Sequence, residues 1–314
     1  MFKYFTTFYR NSGNSTKKFF HDMPVLCLHH QYNPYTLDQI RAVRNMMSMI
    51  SIDRDYICDV SVNMPTALVI GASRGFGYEL TNVLHADGYR TFGTTRSSDI
   101  QLPPGVERIS PIDIAHEDAG AKIAVALGET KLDVVIVNAG VFKKESFGEP
   151  NFEDEVEMYK VVAIAPVFLA HHLYLTDLLA SPSKFILITT EGGSIKLRTK
   201  EEGGGNYGHH GSKAAANMVG KLLANDFYDK GITVTMIHPG FMRTDMTRGV
   251  GYDKYWESGG AVEPAAAARS TVDFISTLTH EHTGTFWAPR GPRDIGEAER
   301  VLGKNLPTPL ELPW

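Results

Sequence analysis

The stretch Ala67-Leu68-Val69-Ile70-Gly71-Ala72-Ser73-Arg74-Gly75-Phe76-Gly77-Tyr78-Glu79-Leu80 decides how the chain is read. Four apolar residues rich in branched side chains predict a buried strand, and a glycine turn follows at once. Apolar residues then recur with helical spacing at Phe76, Leu80, Val83 and Leu84. A strand running through such a turn into a helix gathers backbone N–H groups and a helix N-terminus around one point, which suits a phosphate. Gly71 permits the tight turn, Gly75 lets a pyrophosphate approach the backbone, and Gly77 lets helix and strand pack closely. The spacing is G-x-x-x-G-x-G, one residue longer at its start than G-x-G-x-x-G.

Outward from this unit, strand candidates alternate with helices. The strands are Ala67–Ile70, Arg90–Thr94, Arg108–Pro111, Val134–Val137, Phe185–Thr189, Thr233–His238 and Thr283–Ala288. Helices start near Gly75, Asp118, Asn151, Tyr207 and Pro264. The alternation predicts an α/β domain over residues 64–314, a doubly wound parallel sheet with helices on both faces. A hydrophobic fraction of 43% and a charged fraction of 21% fit a globular chain. The longest apolar run, Val161 to Ala170, is interrupted by Pro166, so no membrane span is expected. A net charge of −5 argues against a nucleic-acid partner.

Both cysteines, Cys27 and Cys58, precede the glycine turn, which fits a reducing compartment such as the cytoplasm. Residues 1–63 carry no nameable motif and are read as an N-terminal extension. Its first twenty residues hold Lys3, Arg10, Lys17 and Lys18 and no acidic residue, loosely like a mitochondrial transit peptide. Thr36 to Ile50 fits a short amphipathic helix. An extension of no separate function, a targeting segment and an ordered arm all stay open.

Three segments now fall together: the glycine turn, Asn138-Ala139-Gly140 after the fourth strand, and Pro239-Gly240-Phe241-Met242-Arg243-Thr244 after the sixth. In these the chain resembles the short-chain dehydrogenase/reductase family, and the matches span nearly all of residues 64–314. The resemblance implies a single Rossmann-fold domain and a nicotinamide cofactor held by Gly71, Ser73, Arg74, Gly75, Phe76 and Gly77. It implies further contacts from Asp113 to the adenine, from Asn138, Ala139 and Gly140 beside the cofactor, and from Pro239, Gly240, Met242 and Thr244 at the nicotinamide end. After the second strand no carboxylate is available for a ribose hydroxyl. Arg96 and Arg74 stand there instead, and two guanidinium groups suit a 2′-phosphate, so the expected cofactor is NADP(H).

The catalytic residues depart from the family pattern. Members of the usual kind carry Tyr-x-x-x-Lys on one helix, helped by a Ser and an Asn. Here Tyr207-Gly-His209-His210-Gly-Ser212-Lys213-Ala-Ala-Ala-Asn217 keeps Lys213 and places His209 where the tyrosine belongs. Residues four apart share a helical face, so Lys213 can hold the nicotinamide ribose beside His209. Tyr207, six residues before Lys213, is a candidate only if the helix starts late. Thr190 takes the serine position and Val162 the asparagine position; Ser194 lies beyond the strand end.

His209 has an ordinary pKa near 6.5, which suits acid/base work. The Lys213 cation should push it down and leave a neutral base, favouring alcohol oxidation. Two readings follow. One is an NADP(H)-dependent oxidoreductase interconverting a carbonyl and an alcohol; the other is an NADP(H)-binding protein without hydride chemistry. The variable segments Ile195–Asn206 and Met246–Val262, with Tyr252, Tyr255 and Trp256, point to a small apolar or aromatic-lined substrate. His210 is expected on another face, exposed. The pairs His29-His30, His171-His172 and His280-Glu-His282 lack metal-ligand spacing, so no metal is expected. The resemblance also implies a homodimer or homotetramer, paired through helices at about 151–180 and 207–229.

Overall fold

In the glycine-turn unit the apolar run forms β1 (Thr66–Ile70), fully buried along its length. It passes through the turn into α1 (Gly75–Ala86). The computed structural model describes residues 64–314, so the Thr36–Ile50 helix, both cysteines and the remaining readings of residues 1–63 lie outside the described residues. Next come β2 (Arg90–Thr94), β3 (Glu107–Ile109), α2 (Ala119–Leu127) and β4 (Leu132–Val137). Then α3 (Phe152–Tyr159) runs through a π turn (Lys160–Ile164) into α4 (Ala165–Leu175), followed by β5 (Leu179–Ile188). The chain continues with α5 (Tyr207–Phe227), β6 (Ile232–Ile237), α6 (Asp245–Gly249), α7 (Pro264–Thr277), β7 (Thr285–Ala288), α8 (Ala298–Leu302) and β8 (Leu310–Glu311).

The sheet order is β3-β2-β1-β4-β5-β6-β7-β8, parallel as far as β7. Alternate residues of each strand feed two cores. Leu68, Val135, Phe185 and Met236 belong to one core, while Val69, Ile136, Ile186 and Ile237 belong to the other. Such two-sided burial is what a parallel sheet requires. The order reverses at β1, where β2 lies on one side and β4 on the other. The crevice beyond the carboxyl ends of the strands opens at that switch point, the place where open α/β sheets bind ligands.

Two expectations need correction. β8 is antiparallel to β7 and closes the sheet edge, so the sheet is not purely parallel. Pro166 does not interrupt the helical stretch Phe152–Leu175, which is long and apolar enough to cross a membrane; half of its apolar window is buried. Pro166 sits in the first turn of α4, where its missing N–H leaves no bond unmade. The acidic start of α3 behaves as its composition predicts. Asn151 caps it by accepting from the Asp154 N–H at 3.0 Å, with Glu153, Asp154 and Glu155 in the first turn.

Candidate active site

One cleft of about 880 Å³ lies at the switch point, and the residues proposed for the cofactor, with Thr190, His209 and Lys213, line it. At one end is the glycine turn. Gly71 has φ +86, and a Cβ on Gly77 would collide with the Gly71 carbonyl oxygen and stand 2.5 Å from Asn138 Nδ2. That amide donates to the same carbonyl at 2.8 Å, so Asn138 braces the turn. The Gly71 N–H in turn donates to Thr94 Oγ1 at 2.9 Å. Arg74 and Arg96 are exposed at this end, and neither makes an ion pair among the described residues. Asp113 is also exposed, and its carboxylate accepts from the Ala115 N–H at 3.0 Å. On the far wall Thr244 caps α6, accepting from the Thr247 N–H at 3.3 Å.

The other end of the cleft, where Thr190, His209 and Lys213 stand, is set by where α5 begins. Asn206 stands before it at φ 52, and no side chain from its own segment caps the helix. The buried Glu145 carboxylate, from the loop after β4, accepts from the Gly208 N–H and fixes the first turn there. Glu145 beside it and burial together push the Glu155 carboxyl above its usual range, with burial the larger cause. Since the helix already includes Tyr207, that phenol cannot fold back beside Lys213. It lies over Gly204 and lines a separate cavity of about 560 Å³ shared with Glu145, Tyr252 and Tyr255.

His209 therefore faces the cleft one turn before Lys213. Its ring stacks on Phe142, with centroids 3.9 Å apart and planes at 22°, and its Nδ1 is buried without a partner. Burial first, and then the Lys213 ammonium, push its pKa down to about 3. The neutral imidazole expected from Lys213 alone thus has a larger cause in desolvation. Lys213 is itself buried; its Nζ donates to the Ile188 carbonyl at 2.8 Å, and desolvation lowers it to about 8. Thr190 lies two residues beyond β5 and caps the turn Glu191–Gly193, its hydroxyl accepting from the Gly192 N–H at 3.3 Å. Ser194 is fully buried, accepts from the Leu197 N–H at 3.3 Å and plays no part in the cleft. Val162 lies in the π turn and packs into the core, while its neighbour Val161 reaches the cleft.

Residues 65–254 match the family described as short chain dehydrogenase. The chain belongs to this family. The 1-hydroxy-2-glutathionyl-2-methyl-3-butene dehydrogenase of Rhodococcus sp. (strain AD45) is 28% identical over 227 residues, covering 71% of this chain and 96% of its own. NADPH-bound carbonyl reductase from chicken fatty liver shares the fold with a TM-score of 0.62 at 24% identity, covering 72% of this chain and 96% of its own. Carbonyl reductase Sniffer of D. melanogaster has a TM-score of 0.62 at 22% identity and covers 80% of this chain and 100% of its own.

Against the short-chain dehydrogenase pattern, several residues of the cleft escaped the sequence reading. His210 is half-buried and lines the same cleft, because the turn Glu191–Gly193 folds over it; a Cβ on Gly192 would stand 2.7 Å from its ring. Its expected exposure is thus corrected, and burial lowers its pKa. His238, at the end of β6, is buried with neither ring nitrogen partnered, and burial pushes it down as well. Phe142 meets Tyr252 edge-on at 5.7 Å, and Asn206 Nδ2 donates to the Tyr252 hydroxyl at 3.0 Å. Tyr252 and Tyr255 reach the cleft as expected. Trp256 does not; its indole N–H donates to Thr247 Oγ1 at 3.2 Å. Aromatic residues beside Asn138-Ala139-Gly140 were the one available signal for Phe142.

Proposed function

We propose that this short-chain dehydrogenase is an NADP(H)-dependent oxidoreductase interconverting a carbonyl and an alcohol on a small, apolar or aromatic substrate. The observation that carries the reading is a single cleft lined at one end by the glycine turn, Arg74 and Arg96 and at the other by Thr190, His209 and Lys213. The cradle fits this cofactor. Gly71, Gly75 and Gly77 bring backbone rather than side chains to a pyrophosphate, and two unpaired guanidinium groups stand ready for a 2′-phosphate. The bound cofactor supplies the hydride acceptor or donor.

The chain's own residues do the rest. Lys213, a cation at neutral pH with one N–H bond spent on Ile188, has donors left for the nicotinamide ribose. The Thr190 hydroxyl orients the substrate oxygen while still accepting from Gly192. His209, neutral at pH 7, is the group placed to take the hydroxyl proton in alcohol oxidation, as a base that its burial weakens. Phe142 and Tyr252 wall the substrate and exclude water. Two copies pair through α4 and α5, whose Val167, Phe168, Leu175, Met218 and Leu222 leave apolar surface exposed. We assign residues 64–314 as the catalytic domain and the cytoplasm as its place.

A second reading keeps cofactor binding without hydride transfer. It draws on His209 being stacked beneath Phe142 with a pKa too low to act as an acid. His209→Ala separates the two. If His209 moves the proton, turnover over a panel of alcohols and carbonyls falls by roughly 10²–10⁴-fold, with NADPH affinity by calorimetry unchanged, while Tyr207→Phe leaves turnover intact. Robust turnover by His209→Ala would falsify its role. An unmutated chain that binds NADPH but transfers no hydride to any substrate favours the second reading.

A further inference from the structure

We propose that Asp294 is a positioning residue for the Pro239–Met242 loop and, resting on the cofactor reading above, for the nicotinamide end of the cofactor. Asp294 lies in the connection between β7 and β8, beyond the residues that match the family. Its side chain is 1% exposed. Oδ2 accepts from the Phe241 N–H at 2.9 Å and from Arg290 Nε at 3.4 Å. Gly240 stands at φ +106, and a Cβ there would collide with the same oxygen. The glycine therefore makes room for the carboxylate, and the Phe241 amide is its anchor.

The other side of the loop is tied as well. The Phe241 carbonyl accepts from the Val262 N–H at 3.0 Å, and the Arg243 N–H donates to the Val262 carbonyl at 2.9 Å. Met242, which lines the cleft, is thus flanked by two peptides tied to Val262, its own carbonyl also accepts from the Thr247 hydroxyl at 2.8 Å, and the Gly240–Phe241 peptide just before is tied to Asp294. A backbone N–H bonded to a buried carboxylate is a stronger tether than one bonded to a neutral acceptor. Removing it takes away the acceptor of the half-buried Phe241 N–H, which loosens this side of the loop. Arg74 and Arg96, which hold the other end of the cofactor, share no contact with Asp294 and should not feel the change.

The test uses the full chain with Asp294→Ala and Asp294→Asn, and adds Asp294→Ser in case the alanine variant does not fold. Without ligand, amide hydrogen exchange at Phe241 should quicken by about tenfold or more in Asp294→Ala or Asp294→Ser. Asp294→Asn, whose side-chain oxygen still accepts, should restore protection. With ligand, calorimetry should give unchanged affinity for adenosine 2′,5′-bisphosphate, whereas the fluorescence change of bound NADPH should shrink in the alanine variant and return in the asparagine one. Unchanged exchange at Phe241 overturns the anchor. Equal losses of bisphosphate and NADPH binding overturn the positioning role, because they mark general loosening. Failure of the unmutated chain to bind either nucleotide sinks the cofactor reading, while the exchange result still judges the anchor.

Discussion

At the glycine-turn end of the cleft the lining is backbone and two exposed arginines, whereas at the His209 end it is side chains buried among one another. The glycine turn is defined by what Gly71 and Gly77 lack, with Asn138 bracing the carbonyl between them. The catalytic end is defined by what His209, Lys213 and Glu145 are pressed against. A site made of backbone tolerates little change at the glycines and much elsewhere. One made of packed side chains depends on what presses on each group, as the start of α5 depends on Glu145.

Three measurements would break or sharpen the contrast. The largest effect is expected at Gly77→Ala, whose added carbon runs into a backbone carbonyl that cannot move aside. Overpacking of this kind costs about 3 kcal/mol, to be read from thermal unfolding, and it should abolish NADPH binding. A stable variant with normal affinity would show that the turn yields. Next, Arg74→Ala or Arg96→Ala should lower the preference for NADPH over NADH by about 2 kcal/mol each, measured by calorimetry with both nucleotides. Equal affinities in the unmutated chain would remove the 2′-phosphate from the picture.

The smallest effect is a pH dependence at the catalytic end. The folded pKa of His209, about 3, lies below its unfolded value of 6.5, so the unfolded chain takes up the proton first. Stability at this group is therefore full above pH 6.5 and falls as pH drops toward 3. Between pH 7 and 5.5 the unmutated chain should lose about 1 kcal/mol more than His209→Gln, read by denaturant unfolding at each pH. Parallel curves for the two proteins would show that His209 titrates normally and is less desolvated than its place against Phe142 implies.

Much of this was legible in the residues. The start of α7 at Pro264 follows from a local signal, as does that of α3 after Asn151, whereas the first turn of α5 is held by Glu145 from a distant loop. The strand, turn and helix around the glycines were legible throughout, because glycine spacing after a strand is a local pattern. β8 was missed because Leu310–Glu311 is two residues long, too short for any period, and exists only by pairing with the edge of β7. Trp256 was misplaced because a loop side chain takes its direction from what it meets, here Thr247 and not the cleft.

Order along the chain determined the α/β alternation, the glycine cradle, the paired arginines and the presence of His209 four residues before Lys213. Each depends on neighbours in sequence, where spacing sets backbone form and shared faces. The tertiary structure alone decided that Tyr207 is turned away, that His210 is half-buried and His238 buried at the cleft, and that Asp294 ties down Phe241. It also decided why His209 is neutral, since Phe142, 67 residues earlier, strips water from its ring. Desolvation depends on which distant segments close over a group, and spacing along the chain carries no record of that.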